Sequence, residues 1–466
     1  MTQDLPDFTS GELVRLYRGG KASPVEVTRA VLRRIERLNP RYNAFCLIDP
    51  ERVLAAARQS EARWSRTEPL SDIDGVPATI KDLILTKDWP TLRGSLTVDR
   101  AQPWHEDAPA TARLREAGAI IIGKTATPEF GWKGVCDSQL TGITRNPWKP
   151  DATSGGSSGG AAVAAAFRMG RLHVGTDGGG SIRIPAGFSG TFGIKPTFGQ
   201  VPAYPLSPFG TVAHVGALTA DVADAARMLT VLSRPDHRDW YALPNLQRDF
   251  CAGLNAGVAG LRIALSVTLG YVHVDPEIAK LVERAAQALA EAGAIVDLRD
   301  PGFPSPLDTF KAHWYTGAAN LLRSISPEKR QYLDPGLSAI ADAGARIPHM
   351  DYIAATNARA ALGHHMSVFH TSYDVLLTPT LPIPAFEAGR IAPTGTDQSN
   401  WADWTPFNYP FNLTQQPAAS IPCGFTASGL PVGLQIVAAK YRDDLVLRVA
   451  RAYETLNPIK TPPIPA

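Results

Sequence analysis

The sequence predicts an α/β protein with a large, mainly interior β-sheet. Three observations carry that reading. Strand-like apolar runs alternate with helix-like segments along the whole chain. Residues 261–298 spell a complete βαβ unit. The 466 residues are enough to bury a large core, and although that length could hold two or three domains, large α/β enzymes often use it as one unit.

Thr9-Ser10-Gly11-Glu12 is a capping box that opens a short helix stopping at Gly19-Gly20. Ser23-Pro24-Val25-Glu26 repeats the device with proline at the first helical position. Val27, Val31, Ile35 and Leu38 then share one face until Asn39-Pro40. Residues 45–48 form a strand, and an alanine-rich helix follows Pro50. Gly75-Val76-Pro77 makes a turn into the β-prone run 78–84, interrupted by Lys81-Asp82. Such a lysine is either buried in the sheet or solvated on an edge strand, and the run alone leaves both open. Asp107 is expected to cap a helix ending near Ala117, with residues 119–122 as the next strand.

Gly118 to Gly123-Lys124-Thr125 matches the phosphate-loop pattern literally. The match is rejected, because three of the four intervening residues are isoleucine and Pro128 leaves no room for the required helix. Further on, 161–168 reads as a small-faced helix, 172–174 as a buried strand, 181–185 as a short helix or turn, 193–197 as a loop and 219–229 as a helix. Residues 236–260 have the proline-marked look of a connection. The βαβ unit runs through 261–265, the helix 276–292 with Ile278, Leu281, Val282, Ala285 and Leu289 on one face, and 295–298. Helices at about 308–323 and 351–369, strands at 375–378 and 433–437, and a last helix capped by Asp443 complete the pattern.

Composition excludes several functions. A net charge of +2 with scattered basic residues gives no case for nucleic acid or an anionic membrane. No apolar stretch reaches membrane-span length. Cys46, Cys136, Cys251 and Cys423 show no C-x-x-C spacing, which argues against a zinc site and a disulfide framework. With no signal-like N-terminus, a cytoplasmic protein is expected.

The chemistry concentrates in two glycine-dense turns, Thr153-Ser154-Gly155-Gly156-Ser157-Ser158-Gly159-Gly160 and Gly175-Thr176-Asp177-Gly178-Gly179-Gly180-Ser181. Glycine weakens helices and strands, so such turns are hard to explain as packing; their N–H groups can face a developing negative charge and their serines can be nucleophiles. Gly155-x-Ser157-x-Gly159 fits the nucleophile turn of α/β-hydrolases. That fold needs an acid and then a histidine downstream, and Asp374 follows all ten histidines. Asp342 before His364 keeps the order formally open. No H-E-x-x-H spacing supports a metallohydrolase.

Lys81-Asp82 after Gly75-Val76-Pro77, the serine pair Ser157-Ser158 among glycines, and Gly178-Gly179-Gly180-Ser181-Ile182-Arg183 together resemble the amidase signature family of Ser-Ser-Lys amide hydrolases. The similarity covers nearly the whole chain, including Gly193-Ile194-Lys195-Pro196-Thr197 and the late segments 411–414 and 435–437. It implies the amidase-signature fold, a large mixed central sheet covered by helices on both faces. It also implies a single domain over 1–466, with a catalytic core at about 70–235 plus the C-terminal part and a more variable substrate-side region at about 236–370. By the same resemblance Ser181 is the nucleophile, Ser157 a bridging serine after a cis peptide bond, and Lys81 the general base. A lysine is a base only when neutral, which burial favours. The N–H groups of Gly178, Gly179, Gly180 and Ser181 would form the oxyanion hole, where losing one donor typically costs about 3 kcal/mol. Ser158 and Thr176 would give hydrogen-bonding support, and Asp177 and Arg183 are either orienting groups or a structural ion pair.

The expected reaction is hydrolysis of a small or hydrophobic, possibly aryl, amide through an acyl-enzyme, with no metal or organic cofactor and no nucleic acid or membrane partner. A homodimer is compatible with the sequence. Within the resemblance, the contrasting reading is the A subunit of a tRNA-dependent glutamine amidotransferase; outside it stand an α/β-hydrolase-type esterase and a binding protein with a decayed site. Nine tryptophans hint at an aromatic pocket, with Trp132 and Trp314 chosen as walls and 400–412 as a flanking loop.

Overall fold

Lys81 and Ser181 are placed by one mixed sheet of eleven strands in this computed structural model, which describes residues 4–244, 248–396, 398 and 400–465. The chain opens with α1 (Ser10–Arg18), α2 (Pro24–Tyr42), β1 (Phe45–Ile48), α3 (Pro50–Ser65), β2 (Pro77–Lys81), α4 (Pro109–Glu116) and β3 (Ile120–Thr125). A small hairpin of β4 (Asp137–Ser138) and β5 (Gly142–Ile143) precedes α5 (Gly159–Ala166), β6 (Leu172–Asp177), α6 (Arg183–Ser189), β7 (Phe192–Lys195), β8 (His214–Thr219) and α7 (Val222–Leu232). The distal part contributes β9 (Arg262–Leu265), α8 (Pro276–Glu291), β10 (Ile295–Leu298), α9 (Leu307–Leu322), α10 (Pro335–Ala345), α11 (His349–Phe369) and β11 (Val375–Pro379). Finally come α12 (Tyr409–Leu413), β12 (Ala418–Phe425), β13 (Pro431–Ala438) and α13 (Asp443–Leu456).

The strand order is β1-β3-β2-β6-β8-β7-β12-β13-β11-β9-β10. β2 runs parallel to both β3 and β6, and β9 parallel to β10 and β11; the other pairs are antiparallel. Every residue of β2, β3, β7, β11 and β13 is buried. Successive side chains of a strand point to opposite faces, so the sheet is covered on both sides.

Local signals explain the helices. Both capping boxes form, with the Thr9 and Ser23 side chains accepting from the N–H groups of Glu12 and Glu26. Val27, Val31, Ile35 and Leu38 are buried. α2 nevertheless passes Pro40 and ends at Asn43, whose left-handed conformation (φ +51°) stops it. A proline one turn from the end forfeits only one bond, so it does not break the helix there. Asp107 caps nothing: α4 starts with Pro109 after Ala108, and the Asp107 carboxylate instead accepts from the Lys87 N–H and from Arg115.

Further expectations shift. Residues 193–195, read as loop, belong to β7, and the helix expected from Thr219 is a strand to Thr219 followed by α7 from Val222. α10 and β12 carried no expectation. The 236–260 connection holds no helix or strand in its described part, and 245–247 lie outside the described residues. Asp443 opens α13 but does not cap it; its carboxylate accepts from the N–H and hydroxyl of Thr197. Lys124, from the rejected phosphate-loop match, is buried in β3 and bonded to Thr91 and the Ile84 carbonyl. Among the described residues, no helix is long and apolar enough to cross a membrane.

Candidate active site

β2 ends on Lys81 and its parallel neighbour β6 ends on Asp177, so both side chains leave the sheet at the same end. Open crevices at the carboxyl ends of parallel strands are where α/β sheets place ligands. The turn preceding α5 brings Ser157 and Ser158 to that end. Lys81 Nζ lies 2.6 Å from Ser157 Oγ, 2.9 Å from Ser158 Oγ and 2.9 Å from Thr176 Oγ1. The solvated-edge alternative for this lysine is thereby excluded, since its side chain is wholly buried in the sheet interior. Burial lowers the amine to a pKa of about 7, against the opposing influence of Cys136 and Asp177.

The two glycine-rich turns are stitched together. Ser158 donates its N–H to the Ser181 carbonyl and its hydroxyl to the Thr176 carbonyl, and its Oγ accepts from the Thr176 N–H. The Gly156–Ser157 peptide is cis. Ser157, Thr176, Gly178 and Ser181 border one cavity of about 140 Å³, with Phe130, Phe209 and Trp314 among its apolar walls.

Close packing explains the glycines at 178–180. A Cβ on Gly178 would stand 2.7 Å from the Trp314 ring, one on Gly179 would stand 2.7 Å from Phe310, and one on Gly180 would stand 2.5 Å from Asn408 Oδ1. Gly180 also has φ +121°, which a side chain rarely tolerates. Its N–H donates to Asp177 Oδ1 at 2.7 Å. Gly180 therefore differs from the other expected oxyanion donors: the N–H groups of Gly178, Gly179 and Ser181 have no protein acceptor among the described residues.

Asp177 and Arg183 form a fully buried ion pair, bonded through Nε at 3.0 Å and a terminal nitrogen at 2.9 Å. Burial would raise the Asp177 carboxyl, but the adjacent guanidinium dominates and holds it below the usual carboxylate range. Arg183 also reaches Gln435, Asn412 and the Asn408 carbonyl, while Asn412 donates back to Asp177. The pair thus pins the glycine turn to α12 and β13. Asn408, Asn412 and Gln435 had no assigned part in the site, and only the similarity of the late segment pointed near them.

The two tryptophans separate. Trp314, on α9, stacks on Phe209 with ring centres 3.7 Å apart and lines the cavity. Trp132 does not line it; its ring packs against Gly336 of α10, and its carbonyl accepts the Trp314 indole N–H at 3.1 Å. The segment around 400–412 stands behind the glycine turn, with Trp401 against Phe310 and Trp314.

No histidine is bonded to Ser157, Ser158 or Ser181 among the described residues, which removes the α/β-hydrolase arrangement. A fully buried amine held by hydroxyls at the mouth of a mixed sheet defines instead an α/β enzyme of the amide-hydrolysing type. The chain belongs to the amidase signature family, and the Amidase family model matches residues 26–447. It is 36% identical over 464 residues to an acylamidase of Rhodococcus erythropolis, covering 98% of this chain and 97% of that one. It is 35% identical to the A subunit of glutamyl-tRNA(Gln) amidotransferase from Myxococcus xanthus, with 97% of each chain covered. A solved bacterial aryl acylamidase of the amidase signature family superposes with a TM-score of 0.90 at 29% identity, covering 97% of this chain and 96% of that one.

Proposed function

We propose that the enzyme hydrolyses small hydrophobic amides, aryl amides foremost, through an acyl-enzyme on Ser181. The observation that carries this reading is the 2.6 Å contact between a buried, readily neutralised Lys81 and Ser157 beside the cavity that Ser181 also borders. Neutral Lys81 takes the Ser157 proton while Ser157 takes that of Ser181, whose oxygen attacks the amide carbonyl. The N–H groups of Gly178, Gly179 and Ser181 receive the developing oxyanion. Collapse expels the amine, which collects its proton back through Ser157. Water then attacks the ester by the same relay, releasing the acid and free Ser181. Arg183 holds Asp177, and Asp177 holds the donor turn in place.

The aromatic walls, together with the acylamidase relatives, favour aryl amides. Identity to one component of an amidotransferase makes glutamine the contrasting substrate. Purified enzyme should release aniline from acetanilide far faster than ammonia from glutamine, and a fluorophosphonate probe should label Ser181. Ser181→Ala should lose both activities. Undiminished anilide hydrolysis in that variant would refute the nucleophile, and a preference for glutamine would favour the amidotransferase role.

A further inference from the structure

We propose that Arg93 makes this enzyme selective for amides that carry a carboxylate, its guanidinium receiving that group inside the cavity bordered by Ser157 and Ser181. The proposal rests on the amide-hydrolysing site described above and names its substrate class more narrowly.

Arg93 is the one arginine or lysine bordering that cavity among the described residues, and with Phe130 it also borders a second cavity. Its guanidinium makes no hydrogen bond or ion pair with the protein among those residues. The fully buried arginines differ from this half-buried one: Arg183 grips Asp177, and Arg171 grips Asp221 and Asp224. Arg93 is half-buried rather than enclosed, and a guanidinium that has no protein acceptor among the described residues and lies at the cavity wall is free to meet an incoming group.

The charges around it do not supply a partner. Asp82 is the carboxylate that acts on its charge, yet Asp82 Oδ1 lies 3.4 Å from Lys124 Nζ and is shared with that lysine. Asp239, the other charged residue of the cavity wall, accepts from the N–H groups of Ala203 and Tyr241. His214, also on the wall, is kept neutral by burial. Burial likewise lowers the Arg93 pKa, with Asp82 opposing.

The base of the side chain is fixed. Arg93 sits in the left-handed region at φ +57°, its N–H donating to the Asp82 carbonyl and its own carbonyl accepting the Phe130 N–H at 2.7 Å. The clamp fixes where the side chain starts, while its long stem still gives up rotamer freedom on meeting a ligand. In a cavity with apolar walls, one planar fork suits one carboxylate, which can accept two parallel N–H bonds. The single cation does not suit a more highly charged phosphate.

Two matched pairs test this. One places the carboxylate on the amine side (4-acetamidobenzoate against 4-methylacetanilide), the other on the acyl side (succinanilate against butyranilide). In one of the pairs the wild-type enzyme should favour the acid by about tenfold or more in kcat/KM, chiefly through KM. That ratio should fall to about one or below in Arg93→Met and be partly restored in Arg93→Lys. A ratio within one variant is insensitive to the fraction of active enzyme, and fluorophosphonate labelling of Ser181 reports that the site is folded. Calorimetric binding of benzoate reads the same contact without turnover and should weaken in Arg93→Met. Wild-type ratios at or below one in both pairs, or a preference that survives Arg93→Met, would overturn the assignment. Loss of all anilide hydrolysis with benzoate binding still dependent on Arg93 would instead count against the amidase chemistry and leave the anion site standing.

Discussion

Lys81 concentrates the electrostatic problem of the site into one atom. Its Nζ has three hydroxyl neighbours and, among the described residues, no carboxylate within hydrogen-bond reach, so burial outweighs any stabilisation of the ammonium and sets its pKa near 7. The charged form cannot accept a proton, and it dominates below that value. kcat/KM for a neutral anilide should therefore rise through about pH 7 and level off at alkaline pH. Lys81→Ala should lower it by about 10²–10⁴-fold, the usual contribution of a general base. A flat pH profile with near-normal activity in the variant would remove Lys81 from the chemistry. The contact of Lys81 with Ser157, and Ser157 and Ser181 on one cavity, was legible only through the resemblance of the three motifs taken together, since the run around Lys81 alone left a solvated edge open. Arg93 was not: a lone arginine between Leu92 and Gly94 carries no pattern, and its meaning depends on which acceptors the fold withholds. Asn408, Asn412 and Gln435 escaped for the same reason, since their partner Arg183 lies more than two hundred residues away in sequence.

At the level of elements, legibility followed locality. α1 and α2 announced themselves because a capping box is closed by residues three apart. β12 did not, since Ala418-Ala419-Ser420 is small-featured and Pro422 in an interior strand reads as a break. A register shift between Pro422 and Gly424 lets that strand keep its neighbour β13. The start of α13 shows how such elements reach the cavity. Asp443 is buried, and its carboxylate holds the Thr197 N–H at 2.7 Å and the Thr197 hydroxyl at 2.6 Å; Thr197 in turn borders the cavity. Asp443→Ala should destabilise the protein by about 2 kcal/mol, because two bonds to one buried group are lost. It should also raise KM for anilides, with Asp443→Asn milder on both counts. Thermal unfolding and steady-state kinetics check this, and an unchanged KM would separate the Asp443 contact from the substrate wall.

The whole molecule carries an acid sensitivity of its own. His173 is buried beside Thr79, and burial depresses its pKa to about 3; His214 is depressed in the same way. Both are neutral in the folded state, whereas the unfolded chain takes up protons below about pH 6.5. Stability is thus highest above that pH and declines as pH falls toward the folded pKa, by up to about 1.4 kcal/mol per pH unit for each histidine. The melting temperature should drop between pH 6.5 and 4.5, and His173→Asn should flatten that slope; an identical slope would exclude His173 as a source. The sheet that buries these groups also divides labour. Lys81 and Asp177 are fixed to strand ends, while Arg93, Phe130, Phe209 and Trp314 come from loops, a short turn and one helix outside the sheet. On the proposed chemistry, wall segments can therefore be exchanged as modular parts while Lys81 and Asp177 stay anchored and unaltered.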